Sequence, residues 1–216
     1  MEKLVLVGAG PFAKCIINYI EDEGQYEIVG YTDIENNGNI LDYNYLGKDE
    51  EVLPKLLAEG VTYAVVGVGN HLNDCTIKEK ITNKVKNYGF ILPVIHGKFS
   101  VVHRGAVIEE GVIIRNGAII QAGAVIRAHS MIGDRVLIGH DTVVDSYVHV
   151  VAGSSIGRDC RIGKGTLIGN GSTVLNGVRI SNNVLIGAKS LVNRDCLEVG
   201  RTYFGCPAKL IEKNNG

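Results

Sequence analysis

The sequence predicts a small α/β domain followed by a solenoid of short parallel β-strands. Strand-like and helix-like segments alternate over residues 1–97, whereas an unbroken six-residue repeat runs through residues 100–195. An array of short, similar units buries its apolar stripe only by stacking unit on unit, and this stacking forms a solenoid. We therefore expect two domains, one over residues 1–97 and the other over residues 98–216.

In the first domain, apolar runs rich in β-branched residues alternate with segments of helical spacing. The runs at 3–7, 26–32, 63–68 and 90–95 predict strands. Three other segments predict helices: one that begins at Phe12, one at 50–58 and one at 74–88. Such an alternation is typical of a parallel, doubly wound sheet. A sheet of this kind binds ligands beyond the carboxyl ends of its strands.

Small and polar residues occur at the carboxyl ends of these predicted strands. They are Gly8, Gly10, Pro11, Asp33, Gly69 and Asn70. Small residues between a strand and a helix let backbone amides at the helix N-terminus approach a phosphate, although a tight turn without a ligand would also need them. Asp33 is placed to bond a ribose or a base. The domain is too small for a full dinucleotide fold, so we expect a Rossmann-like domain that binds a nucleotide diphosphate.

The repeat has Ile or Val at the third position of all sixteen hexads and a small residue at the first. β-Branched residues favour extended chain, so each hexad predicts one short strand. Three hexads that close a triangular coil would direct the third-position side chain inward on every face. The resulting period of eighteen residues stacks His140 between Ala122 and Arg158, and His149 between Met131 and Leu167.

Composition excludes several functional classes. The net charge of −1, without a long basic run, argues against a nucleic-acid surface. We expect neither a membrane span nor a signal peptide, because no apolar stretch is long enough. The five cysteines form no CxxC pair, which favours the reducing cytoplasm over a disulfide framework or a zinc knuckle, and we expect no metal site.

With its opening GAGPFAK, hexads containing IGHD and VHVVAG, and a terminal FGCPAK, the chain resembles the bacterial sugar O- and N-acetyltransferases. This family includes sialic-acid O-acetyltransferases and N-acetyltransferases of UDP- or GDP-linked 4-amino-sugars. The resemblance implies that the solenoid is a left-handed parallel β-helix. It also implies a homotrimer with acetyl-CoA bound between subunits.

The resemblance implies roles for three residues of the hexads. His140 would be the general base that removes a proton from the sugar amine or hydroxyl, and Asp141 would orient its imidazole. His149 would lie nearby and contact acetyl-CoA or its reacting carbonyl. From position in the hexad alone, all three side chains are expected to project outward, and a solvated corner histidine is the alternative for His140.

The terminal segment implies a coenzyme A site. In the family a Gly-x-Pro-Ala-Lys segment lies along the coenzyme, so Arg201 and Lys209 are candidates for its phosphates. Gly187 and Ala188 would allow the pantetheine arm to pass closely. A solvated helical cap over the solenoid edge is the alternative explanation of this segment.

The chain departs from the family pattern at several positions, two of which lie near His140 in the predicted coils. Gly133 stands where close relatives tend to have Asn, and Arg158 replaces a small residue one coil from His140. We expect Arg158 either to hold an anionic group of the acceptor or to tune His140 electrostatically. The histidines outside the proposed site, His71, His103 and His129, are most simply surface residues.

An outward apolar stripe would be exposed in a monomer and supports the trimer. Its residues are Val107, Ile113, Ile119, Val125, Met131, Leu137 and Val143. The function favoured by the resemblance and by the predicted nucleotide-binding domain is acetyl transfer from acetyl-CoA to the amine of a nucleotide-linked amino-sugar. The alternatives are O-acetylation of a sialic acid or another sugar hydroxyl, and a non-catalytic β-helix protein that senses a nucleotide.

Overall fold

The computed structural model describes residues 1–211 and begins with an α/β domain. Its strands are β1 (Glu2–Val7), β2 (Tyr26–Thr32), β3 (Tyr45–Gly47) and β4 (Tyr63–Val66), and its helices are α1 (Ala13–Glu23), α2 (Asp49–Ala58) and α3 (Thr76–Tyr88). The strands form one parallel sheet in the order β3-β2-β1-β4. The predicted fold class of this domain is confirmed.

Alternation along β1 explains why helices cover both faces of the sheet. Leu4 and Leu6 pack with the apolar side of α1, while Val5 and Val7 point to the opposite face and pack with α2 and α3. Successive side chains of a strand point to opposite faces, so a continuous apolar run suits a strand that is buried on both sides.

The predicted strand at 90–95 is largely wrong. Ile91 makes one isolated bridge to Tyr63, and only Ile95 continues into a regular strand, which belongs to the solenoid. Pro93 lies between these two parts and has no amide hydrogen to donate to a ladder. The edge strand β3 was not predicted.

The solenoid is a three-sided prism of two-residue strands. The first face contains β5 (Ile95–His96), β8 (Ile113–Ile114), β11 (Met131–Ile132), β14 (His149–Val150), β17 (Leu167–Ile168) and β20 (Leu185–Ile186). The second face contains β6 (Val101–Val102), β9 (Ile119–Ile120), β12 (Leu137–Ile138), β15 (Ser155–Ile156), β18 (Thr173–Val174) and β21 (Leu191–Val192). The third face contains β7 (Val107–Ile108), β10 (Val125–Ile126), β13 (Val143–Val144), β16 (Arg161–Ile162) and β19 (Arg179–Ile180).

The predicted period of eighteen residues is the register of the prism. On the first face His149 pairs with Met131 above it and Leu167 below it. The third-position side chains from Ile114 to Val192 are buried in one continuous core. The parallel ladders of the left-handed β-helix type thus agree with the predicted fold class.

The α/β domain covers the upper part of the first face. Ile113 and Met131 are each 3% exposed because they pack into the same core as α1. The expectation that all seven stripe residues would be exposed in a monomer was therefore wrong for these two. The stripe is divided among three faces, since neighbouring hexads lie on different sides of the prism.

A β-hairpin, and not a helix, closes the lower end of the solenoid. It consists of β22 (Thr202–Gly205) and β23 (Ala208–Leu210), with β22 added in parallel to β20 on the first face. Tyr203 and Ala208 contribute to the solenoid core. The last five residues of the predicted second domain, 212–216, lie outside the described residues. Within residues 1–211, each helix is too short or too polar to cross a membrane.

Candidate active site

His140 and Asp141 lie at the corner between the second and third faces, between β12 and β13. Their side chains are 47% and 61% exposed, as expected for residues outside the inward positions. Nδ1 of His140 is 2.7 Å from Oδ2 of Asp141. An ionised carboxylate only accepts hydrogen bonds, so this contact places the imidazole hydrogen on Nδ1 and leaves a lone pair on Nε2. The pair is therefore arranged for proton abstraction at Nε2.

The coils above and below hold this corner in place. The amide of His140 donates to Oε1 of Gln121 at 3.1 Å, and the amide of Asp159 donates to the carbonyl of His140 at 3.1 Å. Arg158 lies in the next coil, as the period predicted, but its Nη1 donates to Asp159 at 2.7 Å. Arg158 is thus paired with a neighbouring carboxylate and remains half exposed.

A cavity of about 470 Å³ lies between the two domains over the first face. It lies beyond the carboxyl ends of β1 and β4, which is where an open α/β sheet binds ligands. The residues that line it are Gly10, Pro11, Phe12, Val68, Gly69, Asn70, His71, Ile77, Met131 and His149. Four of the predicted substrate residues and one predicted coenzyme residue therefore share one site, which we call the interdomain cavity.

Two polar atoms in the lining of this cavity are buried without a hydrogen-bond partner among the described residues. They are Oδ1 of Asn70 and Nε2 of His149. The Nδ2 of Asn70 donates to the carbonyl of Tyr147 at 2.6 Å, which fixes the amide across the domain boundary. Burial, followed by the charges of Lys78 and Arg115, lowers the pKa of His149 to about 4, so the ring is neutral near pH 7. Unsatisfied buried polar atoms favour a polar ligand.

Asp33 is engaged within the chain. Its Oδ2 accepts the amide of Ala9 at 2.5 Å, and its Oδ1 accepts the amide of Ile34 at 2.6 Å. It lines a separate cavity of about 190 Å³ with Lys48, Asp49 and other residues of α2 and α3. Asp33 therefore braces the glycine-rich turn from the far side, away from the interdomain cavity. Gly8, in the same turn, is buried and has a φ of 90°, a left-handed conformation that glycine adopts without strain.

Within one chain, the structure does not bring His140 to the interdomain cavity. The cavity lies on the first face, and His140 lies at the corner opposite that face. His149 projects out of the prism, as its hexad position predicted, but it lies under the α/β domain, so within one subunit it is not beside His140.

The other four residues predicted for coenzyme A are spread along the lower end of the solenoid. Gly187 and Ala188 lie at the corner between the first and second faces, and a Cβ on Gly187 would overlap the ring of Phe204. Lys209 is the exposed register partner of Phe204 in the hairpin. Arg201 comes directly before β22, about 10 Å from Phe204 along the strand. Its Nη1 is 3.8 Å from Oε2 of Glu198.

Sequence reasoning missed a latch that joins the start of α1 to the solenoid. Nη2 of Arg115 is 2.5 Å from Oδ2 of Asp134, its Nε donates to the hydroxyl of Tyr19 at 2.7 Å, and its guanidinium lies 4.9 Å from the ring centre of Phe12. The latch positions one wall of the interdomain cavity. Its members come from distant hexads and a helix, so no local pattern relates them.

Of the histidines predicted to be surface residues, His129 is buried, whereas His71 is exposed as expected. His129 is 6% exposed, and its ring lies 5.1 Å from that of Tyr147 under α3. Burial and the charge of Lys78 lower its pKa to about 4. His71 is exposed but lines the interdomain cavity.

Lys78 of α3 is buried against the same corner. Its Nζ donates to the carbonyl of His129 at 2.8 Å, and burial lowers its pKa to about 8. An ammonium taken out of water without a carboxylate partner costs folding free energy. The value in an unfolded chain is about 10.4, so between pH 8 and 10.4 the unfolded state binds more protons and stability rises with pH.

We therefore expect Lys78→Met to raise the free energy of unfolding at pH 7 by about 1–3 kcal/mol and to remove this rise with pH. Denaturant unfolding at pH 7 and pH 10 measures both effects. Lys80→Met, on an exposed position of the same helix, is the matched control and should change little. A Lys78→Met protein that is less stable than wild type at pH 7 would contradict the prediction.

Among residues 1–211, no group of three or more His, Cys, Asp or Glu side chains could hold a metal ion. The described cysteines are unpaired thiols.

Comparisons with known families match both domains. Residues 3–85 match the PglD N-terminal domain, residues 159–194 match the bacterial transferase hexapeptide (six repeats), and residues 104–128 match the hexapeptide repeat of succinyl-transferase. No curated protein matches the chain.

Solved structures match the chain over nearly its whole length. The acetyltransferase domain of PglB from Neisseria gonorrhoeae is 28% identical with a TM-score of 0.88, over 98% of this chain and 100% of that one. The same domain is also known in complex with acetyl coenzyme A. PerB from Caulobacter crescentus, in complex with CoA and GDP-perosamine, is 26% identical with a TM-score of 0.74, over 98% of each chain. WeeI from Acinetobacter baumannii, at 15% identity and a TM-score of 0.72, shares the fold.

The family matches and the full-length structural matches agree with the resemblance seen in the hexads. The alignments with the PglB domain and with PerB cover both chains almost completely. Over nearly its whole length the chain therefore shares the architecture of solved acetyltransferases, with a PglD N-terminal domain followed by a hexapeptide-repeat β-helix.

Proposed function

We propose that the protein transfers the acetyl group of acetyl-CoA to the amine of a nucleotide-linked amino-sugar, with His140 as general base. The observation that carries the proposal is the His140–Asp141 hydrogen bond of 2.7 Å on an exposed corner, with Nε2 free. The matched structures include a perosamine N-acetyltransferase in complex with CoA and GDP-perosamine, also as a variant with one histidine replaced by asparagine.

The acceptor would lie in the interdomain cavity. Gly10 and Pro11 border it at the N-terminal end of α1, where a phosphate is favoured, and Asn70 and His149 offer polar atoms for sugar or base groups. An acceptor that carries its own nucleotide accounts for an α/β domain fused to the acyltransferase solenoid. The alternative of a non-catalytic nucleotide sensor leaves the His140–Asp141 geometry without a role.

The chemistry needs one proton acceptor and one oxyanion donor. Nε2 of His140 takes a proton from the amine as its nitrogen attacks the thioester carbonyl. The tetrahedral intermediate then expels the coenzyme thiolate, which receives the proton back from the imidazolium. Gly187, Ala188, Arg201 and Lys209 remain the candidates for holding the coenzyme at the lower end of the prism.

The proposed site requires two subunits, because one chain separates His140 from the interdomain cavity. A homotrimer supplies the imidazole of one subunit to the cavity of the next. The exposed apolar residues beside the His140 corner suit such a contact, with Val107 51% and Ile119 39% exposed.

The direct test is a substrate screen with the purified protein. Acetyl-CoA is mixed with UDP-, GDP- and dTDP-linked amino-sugars, with the corresponding hydroxy-sugars and with free sialic acid, and thiol release is followed. We expect turnover with at least one nucleotide-linked amino-sugar and none with its hydroxy counterpart. Turnover confined to sialic acid or the hydroxy-sugars would replace the N-acetyl assignment by O-acetyl transfer.

A further inference from the structure

The backbone of Asp141 adopts the left-handed conformation, with a φ of 58°, at the sixth position of its hexad. Its carboxylate stacks on the corner of the coil above, where Gly123 occupies the equivalent position eighteen residues earlier. A Cβ built on Gly123 would overlap Oδ1 of Asp141. The missing side chain at Gly123 therefore leaves the space that the Asp141 carboxylate fills.

Backbone conformation alone does not require glycine at this position. Several hexads have other residues with positive φ at the same place, among them Arg135 at 54° and Asp159 at 58°. Gly177, at the same corner, has a φ of 75° like the 72° of Gly123, yet a Cβ there would meet no atom within 4 Å. Gly123 thus differs from Gly177 in its contact with the Asp141 carboxylate.

Arg161 holds the other side of Asp141. Its Nη1 donates to the carbonyl of Asp141 at 2.8 Å and to that of Cys160 at 3.0 Å. Arg179 is its register partner on the next strand of the third face, but the guanidinium of Arg179 binds Asp195 at 2.7 Å. Among the described residues Arg161 makes no ion pair, so its hydrogen bonds go to the corner that carries His140.

We infer that Gly123 and Arg161 are positioning residues for the catalytic pair. Gly123 lets the carboxylate of Asp141 reach Nδ1 of His140, and Arg161 fixes the backbone turn from which that carboxylate extends. Both act through Asp141 and touch neither substrate. The inference rests on the proposed function of His140 as the base.

The test compares Gly123→Ala with Gly177→Ala, which carries the same backbone cost without the overlap. We expect Gly123→Ala to lower kcat by about 10-fold or more, because the displaced carboxylate no longer orients the imidazole. The KM values for acetyl-CoA and for the acceptor should stay within about twofold of wild type. Gly177→Ala should keep the wild-type kcat, and thermal unfolding of the two variants should shift equally.

A double-mutant cycle separates positioning from general damage to the solenoid. In an Asp141→Asn background, Gly123→Ala should cost no more kcat than Gly177→Ala does, since the carboxylate it displaces is gone. Arg161→Gln should lower kcat by about fivefold or more in the wild-type background, with Arg179→Gln as its matched control.

Two outcomes overturn the inference: equal kcat for Gly123→Ala and Gly177→Ala, or an undiminished loss in the Asp141→Asn background. Failure of the proposed function is recognised separately. If His140→Ala keeps wild-type turnover, the assignment of the base is wrong; if His140→Ala is inactive while Gly123→Ala is normal, only the positioning role is wrong.

Discussion

His140→Ala is expected to lower kcat by about 10²–10⁴-fold, with little change in the KM for acetyl-CoA. Without Nε2 the attacking amine keeps its proton through the addition step, and the leaving thiolate has no acid to protonate it. Steady-state thiol release with the best acceptor from the screen measures the effect. The exposed position of the side chain makes loss of folding an unsuitable explanation, and thermal unfolding should confirm an intact solenoid.

Two companion variants make this test specific. His103→Ala removes an exposed histidine from the same corner two coils above and should retain wild-type turnover. Asp141→Asn should lower kcat by about 10–10³-fold, since an amide can donate to Nδ1 and place the imidazole hydrogen on Nε2 instead. Wild-type kcat in His140→Ala would refute the assignment of the base and favour the non-catalytic alternative.

The second large effect concerns the acceptor. Gly69 lines the interdomain cavity, a Cβ there meets no atom within 4 Å, and its backbone is outside the left-handed region. A large side chain can therefore be added without backbone strain. We expect Gly69→Trp to fill the cavity and raise the acceptor KM by about 10-fold or more, while the KM for acetyl-CoA stays unchanged. Gly69→Ala is the matched control, with a small effect.

Gly69→Trp also tests whether the imidazole and the cavity of one site come from different subunits. If each site combines His140 of one subunit with the cavity of its neighbour, then His140→Ala and Gly69→Trp chains should complement each other when co-expressed. With random assembly, about a quarter of the sites would combine an intact imidazole with an intact cavity. Activity of the mixture near a quarter of wild type is the expected result. Mixed oligomers with no more activity than the two parents would show that the site lies within one chain.

Local sequence patterns predicted the solenoid closely. Ile or Val at each third position specifies an extended strand with one buried side chain, and this information repeats every six residues whatever lies elsewhere in the chain. The pairing of His149 with Met131 and Leu167 followed from counting eighteen residues. Most elements of the α/β domain were predicted for a similar reason, although the run around Pro93 was mistaken for a single strand.

The features of the candidate site also fall into those that the sequence predicted and those that it did not. The exposure of His140 and Asp141 followed from their hexad positions, whereas the contact of the Asp141 carboxylate with the imidazole was implied by the family resemblance. The burial of His149 could not be expected from position, because its hexad position is occupied by outward side chains on the other faces. The two amides that the Asp33 carboxylate accepts, from Ala9 and Ile34, could not be read from the sequence either, and a ligand contact of Asp33 stays a prediction.

The residue order thus decided the prism, its register and the exposed imidazole, since each depends on interactions within one short repeat. Only tertiary structure decided which face the α/β domain covers, and hence where a cavity forms and which polar atoms it leaves unpaired. That docking depends on contacts such as Arg115 with Asp134 and Tyr19, which lie far apart in the chain. Burial, and with it the neutral state of His149, is a property of this long-range packing, so no hexad encodes it alone.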